Sequence, residues 1–333
     1  MEASAWFLRR RPVGLPVLDD FELRPIVLPP LGDGMVRVDN LWMSVDPYMR
    51  GRMNDVKSYV LPFGLDAPLD GLAIGRVTQS RAPGLEEGDL VSHRLGWRNA
   101  AVLPAHDVRK LPAEGPAAEH YLHVMGATGA TAYFGLLRVA AARPGETVFV
   151  SAAAGAVGST VVQIARHLGM RVIASAGGAE KCALVEGLGA ERCIDYRAPG
   201  SFAQKLAAAT PDGIDVGFEN VGGEQFDAVL GLAKDRARIA VCGMIDMYNS
   251  TDPVALRNLF RVIAARIRIE GFIVTDFRAD WPRFEAQMAA WMHDGTVRSR
   301  LSVREGLDAA PDAFLSLFRG ENLGKLVVRL GES

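Results

Sequence analysis

Apolar and polar positions change rhythm about a third of the way along the chain. Up to about residue 120 the apolar runs are short: MVRVDNLWMSVD, GLAIGRVTQS, GDLVSHR and AAVLPA, separated by Gly, Pro and Asp. That punctuation predicts strands joined by tight turns, and so a compact β-rich domain. From about Gly126 the runs lengthen. TAYFGLLRVAA has helical apolar spacing, ETVFVSA is β-rich, and VGSTVVQIARHLG predicts a helix ending at Gly169. Strand and helix then alternate: RVIASA before EKCALVEGL, RCIDY before SFAQKLAAA, IDVGFEN before EQFDAVLGLA, ARIAVCG before PVALRNLFRVIAA, and RIRIEGFIV before WPRFEAQMAAWMHDG. Near-continuous β-branched strands between amphipathic helices predict an α/β, doubly wound parallel sheet covered on both faces. The last stretch, GLDAAPDAFLSLFRGENLGKLVVRL, holds one helix and one strand that need a sheet to join. Pattern alone leaves open whether that sheet is the parallel one or belongs to the first domain.

Composition narrows the class. A chain of 333 residues that is 49% hydrophobic can build two packed cores. No apolar run approaches the ~20 residues needed to cross a bilayer, and MEASAWFLRRRPVG has no apolar core behind its positive charges. The expectation is a cytoplasmic protein without a membrane partner. The net charge of −2 comes from 37 basic and 39 acidic residues dispersed along the chain, with no basic block to track a nucleic-acid backbone. Small-molecule partners are expected instead. Cys182, Cys193 and Cys242 form neither a disulfide framework nor a CxxC pair. No zinc ligand set is visible, and His93, His106, His120 and His123 show no HExxH spacing, so no metal is expected.

The strand TVFVSA runs into Ala153-Ala154-Gly155-Ala156-Val157-Gly158, which opens a helix. This is G-x-G-x-x-G with alanine first. Gly155 lets the backbone approach a pyrophosphate, Gly158 lets helix pack on strand, and the helix N-terminus offers free N–H groups and a positive dipole to the anion. An acid about 20 residues on would bind the ribose 2′-hydroxyl of NAD. Here the next strand ends in Ala176-Gly177-Gly178 with no carboxylate in the turn, followed by Glu180 and Lys181 and, beyond the next strand, Tyr196 and Arg197. A 2′-phosphate would meet positive charge and hydrogen-bond donors there, so the expected cofactor is NADPH.

Seven stretches carry a resemblance: SVDPYMRGRM (44–53), TAYFGLL (131–137), AAAGAVGS (152–159), ENVGGE (219–224), CGMIDMYN (242–249), IEGFIV (269–274) and ENLGKLVV (321–328). In this order they resemble the zinc-free medium-chain dehydrogenase/reductases, and most closely their prostaglandin reductase and alkenal double-bond reductase branch. The resemblance implies a GroES-like β-rich domain over residues 1–123, completed by 298–333, and a Rossmann domain over 124–297. It implies NADPH-dependent reduction of the carbon–carbon double bond of α,β-unsaturated aldehydes or ketones, in a homodimer joined through the Rossmann domains. It places phosphates on Gly155, Ala156, Val157 and Gly158, and the adenosine phosphate near Lys181 and Tyr196. Asn220 would sit beside the nucleotide, the turn of Cys242, Gly243, Met244, Ile245 and Tyr248 beneath it, and Phe272, Ile273 and Val274 beside the nicotinamide. Asn322 would close the site. Two departures stand out: GMPGLTAY of the family reads GATGATAY here, without the proline, and Asp246 replaces a small hydroxyl, a change expected to show in specificity.

Hydride addition to the β-carbon of an enone builds negative charge on the carbonyl oxygen, and a neutral phenol can meet it. Tyr248 follows the fourth parallel strand at the sheet edge where ligands of open α/β folds bind, and is the first choice for this role. Tyr48, in VDPYMR, is the second catalytic candidate, with an alternative reading as the plug of an Asp46-Pro47 turn. Arg50 and Arg52 are candidates for holding a substrate carboxylate, or surface ion-pair partners; Met43, Met244 and Met247 are candidates for an apolar pocket, or core filling. Two other functions share the phosphate turn: an NADPH:quinone oxidoreductase of the same superfamily, and a non-catalytic NADPH-binding sensor or structural protein.

Overall fold

A computed structural model describes residues 2–250 and 252–331. In chain order the elements are β1 (Glu2–Leu8), β2 (Phe21–Val27), β3 (Met35–Ser44), α1 (Met49–Arg52), β4 (Ala73–Ser80), β5 (Leu90–His93), β6 (Ala100–Pro104), β7 (Arg109–Lys110) and α2 (Ala127–Phe134). They continue with β8 (Thr147–Val150), α3 (Ala156–His167), β9 (Arg171–Ala176), α4 (Ala179–Gly187), β10 (Arg192–Asp195), α5 (Phe202–Ala209), β11 (Ile214–Glu219), α6 (Gly223–Leu232) and β12 (Ala233–Val241). The remainder is α7 (Arg261–Ala264), β13 (Arg268–Gly271), α8 (Trp281–His293), β14 (Leu301–Glu305), α9 (Ala310–Arg319) and β15 (Lys325–Arg329). The chain divides into one unit of residues 1–122 with 301–333 and a second of residues 123–300.

The first unit is β-rich and GroES-like. β1 and β2 pair antiparallel, and a larger sheet runs β14-β15-β3-β4-β5-β7, with β6 also on β3. The closing helix and strand that sequence left unassigned belong here: β15 pairs antiparallel with β3, Val328 opposite Met43. α9 has Pro311 in its first turn and stops at Gly320, whose φ of 65° is left-handed. It buries Phe314 against Trp97 and Phe21, ring centroids 6.1 and 6.2 Å away.

The second unit is a Rossmann fold. Its six strands are all parallel, in the order β10-β9-β8-β11-β12-β13. β8 is four residues, all buried, as a central strand covered on both faces must be. The order reverses between β8 and β11, which opens a crevice at their carboxyl ends.

Two segments depart from the pattern. PVALRNLFRVIAA is helical only over α7, because Asn258 caps itself onto α6: its N–H donates to Asp227 Oδ1 at 2.8 Å and its amide to Asp227 O at 3.1 Å. RIRIEGFIV is a strand only to Gly271, after which Phe272 turns inward and Val274–Asp280 forms a 3-10 turn.

Candidate functional site

The turn between β8 and α3 is built on close approach. An added Cβ at Gly158 would lie 2.5 Å from Ala152 O and 2.7 Å from Ala153 Cα, so only glycine lets the first turn of α3 sit on the strand end. Ala152 takes a φ of 47°, a left-handed conformation that costs about 1 kcal/mol for a residue with a Cβ. Gly155 is the N-cap, and the N–H groups of Ala156, Val157 and Gly158 are those an α-helix leaves without intrahelical partners. This is a cradle for an anion.

At the end of β9, an added Cβ on Gly177 would meet Tyr196 Oη at 2.6 Å and Arg197 Nε at 2.9 Å. Both groups therefore lie directly over the glycine. Lys181, on the first turn of α4, is half-buried; burial and the nearby Arg197 cation lower its pKa, and Glu180 offsets them only partly. Two neighbouring cations beside a phenol hydroxyl suit a multiply charged anion. The structure corrects one expectation here, because a carboxylate does reach this turn. Asp195 closes β10, and its Oδ1 accepts the N–H groups of Gly178 at 2.8 Å and Arg197 at 2.9 Å. Those backbone donors hold it ionised, well below its ordinary range. Its charge is committed to folding the turn, and sequence missed it because the acid comes from the next strand.

At the crevice between β8 and β11 a second carboxylate was also missed. Glu219 is 1% exposed, and its Oε1 accepts the Ser151 hydroxyl at 2.9 Å and the Val221 and Gly222 N–H groups at 2.7 Å each. Burial outweighs these donors and raises its pKa. Asn220 is braced from both ends, its N–H on Ser151 Oγ and its amide on Ser151 O, both 2.7 Å. Glu219 O also accepts the N–H groups of Cys242 and Gly243, at 2.9 and 3.2 Å, tying the ENVGGE turn to the turn after β12.

That second turn carries Cys242, Gly243, Met244, Ile245 and Tyr248 in half-buried positions. The Cys242 thiol is pushed up to about 12 by burial and by Glu219, which keeps it protonated and inert. The Tyr248 hydroxyl lies over Gly243, 3.1 Å from where a Cβ would be. Burial raises its pKa while the Met244 backbone N–H pulls the other way, so the phenol stays neutral with its own proton to donate. Asp246, the departure from the family pattern, lays Oδ2 against Gly223 at the start of α6, where a helix N-terminus favours negative charge. Its extra polarity is directed at that helix.

Of the residues expected beside the nicotinamide, Ile273 and Val274 are half-buried, but the Phe272 ring turns into an aromatic cluster. It packs edge-on to Phe218 and Phe277, with centroids at 6.5 and 6.4 Å, over Gly135, whose missing Cβ would lie 2.5 Å from Phe272 Cζ. Only its backbone remains for the sheet edge.

Tyr48 and Asn322 belong to the first unit. Tyr48 precedes α1 and packs against the core of that unit; burial, then Asp46, pushes its phenol far up. Asp46 accepts from the buried Lys325 Nζ at 2.7 Å, an ion pair that anchors β15 to the turn before Tyr48. The Asn322 amide donates to Gly324 O at 2.9 Å. Arg50 and Arg52 are neither surface ion-pair residues nor free for a carboxylate. Arg50 is buried and donates to Gly14 O at 2.8 Å and Asn54 Oδ1 at 2.8 Å, while Arg52 grips Asp70 with both terminal nitrogens and Leu61 O at 2.8 Å. Met43 is core, fully buried between β15 and β4.

Residues 4–111 match the family described as the N-terminal domain of oxidoreductase, and residues 156–291 the one described as zinc-binding dehydrogenase. Among the described residues no three His, Cys, Asp or Glu side chains converge to hold a metal. An NADPH-dependent curcumin reductase of Escherichia coli K12 is 40% identical over 98% of this chain and 96% of its own length. A 2-alkenal reductase (NADP(+)-dependent) of Nicotiana tabacum is 39% identical over 96% of this chain and 95% of its own. The crystal structure of CurA from Vibrio vulnificus in complex with NADPH is 38% identical, with a TM-score of 0.94 over 99% of this chain and all of that one. With this agreement along its whole length, the chain belongs to the medium-chain dehydrogenase/reductases, in their prostaglandin reductase and alkenal reductase branch.

Proposed function

We propose that this protein is an NADPH-dependent reductase of the carbon–carbon double bond in α,β-unsaturated aldehydes and ketones. The observation that carries the reading is the undissociated Tyr248 phenol over Gly243, on the same carboxyl edge as the glycine turn and the Lys181, Tyr196 and Arg197 cluster. The names of the relatives, curcumin reductase and 2-alkenal reductase among them, support it.

The residues present fit the cofactor. The N–H groups at Ala156, Val157 and Gly158 would hold the pyrophosphate, and Lys181, Tyr196 and Arg197 the 2′-phosphate. Asn220 and the Cys242–Ile245 turn would line the nucleotide, and the backbone of Phe272, Ile273 and Val274 would serve its nicotinamide end. Bound there, NADPH supplies a hydride to the β-carbon of the substrate. As charge moves to the carbonyl oxygen, Tyr248 donates a hydrogen bond and then its proton, an interaction strongest after the charge has formed. Tyr48 is read as the second catalytic residue and Asn322 as a cofactor-binding one. The reaction is read as zinc-independent, in a cytoplasmic homodimer; no helix among the described residues is long and apolar enough to cross a membrane.

Following NADPH oxidation with a panel of enals, enones and quinones, with product identification, tests the proposal. Saturated aldehyde or ketone is the expected product. An allylic alcohol, or turnover confined to quinones, overturns it.

A further inference from the structure

His123 opens the second unit, is fully buried, and is used by none of the chemistry above. Its Nε2 lies 3.0 Å from the carbonyl oxygen of Ala156, and its Nδ1 lies 2.9 Å from Ser299 Oγ. A carbonyl oxygen only accepts, so Nε2 carries the hydrogen. In the neutral imidazole Nδ1 is then an acceptor, and the Ser299 hydroxyl donates to it. The two contacts together specify one tautomer.

The backbone of His123 is held as firmly as its ring. Its carbonyl accepts the N–H groups of Gly126 and Gly129 at 3.0 Å each and the Thr128 hydroxyl at 3.0 Å. Gly129 is obligatory in that arrangement, since a Cβ there would sit 1.9 Å from Val124 O. Ser299 is fixed from the other side: Arg298, its neighbour, donates its N–H to Gln163 Oε1 at 2.8 Å and accepts from Gln163 Nε2 at 3.2 Å. Gln163 is itself buried on α3.

The peptide that His123 grips matters. Its carbonyl belongs to Ala156 and its N–H to Val157, the middle donor of the phosphate turn. A hydrogen bond to the carbonyl orients the rigid peptide plane and polarises the N–H at its other end. We infer that His123 is a positioning residue for cofactor binding: as its Nε2–H tautomer, fixed by Ser299, it aims the Val157 N–H at the nucleotide phosphates. This rests on the NADPH reading of the site.

The test compares NADPH affinity and kinetics of the full-length protein with His123→Leu, His123→Gln and Ser299→Ala. His123→Leu should raise KM for NADPH by about 3–10-fold, the worth of one neutral hydrogen bond, with kcat changed less than about twofold. His123→Gln, whose amide can still donate, should recover most of the loss. Ser299→Ala should raise KM by about 2–3-fold on the same ground. Nitrogen-15 NMR of the wild-type imidazole should show the proton on Nε2. NADPH binding by His123→Leu at wild-type affinity, loss without rescue by Gln, or a proton on Nδ1 overturns the inference. If His123→Leu does not fold, the Ser299→Ala result and the tautomer decide. Failure of the wild-type protein to bind NADPH overturns the reading of the site, and this inference with it.

Discussion

A phenol serves an enone reductase only while it keeps its proton, and the Tyr248 environment secures that by burial. Tyr248→Phe should lower kcat with an enone by about 10–100-fold while leaving NADPH affinity near wild type, since the lost hydrogen bond forms chiefly with developing charge. The pH dependence follows from the direction of the shift. With a pKa above the ordinary 10.0, the phenol is protonated throughout the neutral range, and its contribution is lost only as pH rises through that raised value. A rate profile that falls between pH 7 and 9 in Tyr248→Phe as well as in wild type would assign that loss to another group, whereas a fall present only in wild type would contradict the upward shift of this phenol. The position of Tyr248 at the carboxyl edge was legible in the sequence because it follows from the strand before it. Glu219 was not, because its meaning depends on Ser151, 68 residues earlier, and on a burial that local pattern does not encode. Arg50 and Arg52 misled for the converse reason: arginines after a turn look exposed, yet here they knit the Gly14 and Leu61 loops to α1.

Among elements, the turn after β9 is the one proposed to tell NADPH from NADH. Gly177→Ala would drive a methyl into Tyr196 Oη and Arg197 Nε, displacing the two groups without removing either. The expected outcome is a rise of about 10-fold or more in KM for NADPH with little change for NADH, measured by steady-state kinetics with each cofactor. Equal effects on both would place the 2′-phosphate elsewhere. β8 through β12 were legible because strands buried within a parallel sheet read as largely apolar runs. The PVALRNLFRVIAA segment was not, since the same apolar residues suit a helix and an outward-facing surface. There Phe260 and Ile263 are 74% and 72% exposed.

On the scale of the whole molecule, those exposed side chains precede β13, an edge strand whose residues Arg268–Gly271 are all exposed. An open edge beside apolar surface suits pairing with a second copy. Sedimentation should show a dimer, and Ile263→Glu should shift it to monomer while preserving the fold; a wild-type monomer removes this interface. The division of the chain has a further consequence for how the protein is made. The second unit is continuous, 123–300, whereas the first needs β15 to flank β3. During synthesis the nucleotide-binding half has all its strands before the β-rich half can finish its sheet. Until then Trp42–Ser44 of β3 lack their β15 partner, since β6 pairs only with Met35–Asp39, and the nascent first unit depends on its last strand arriving there before a stranger's does.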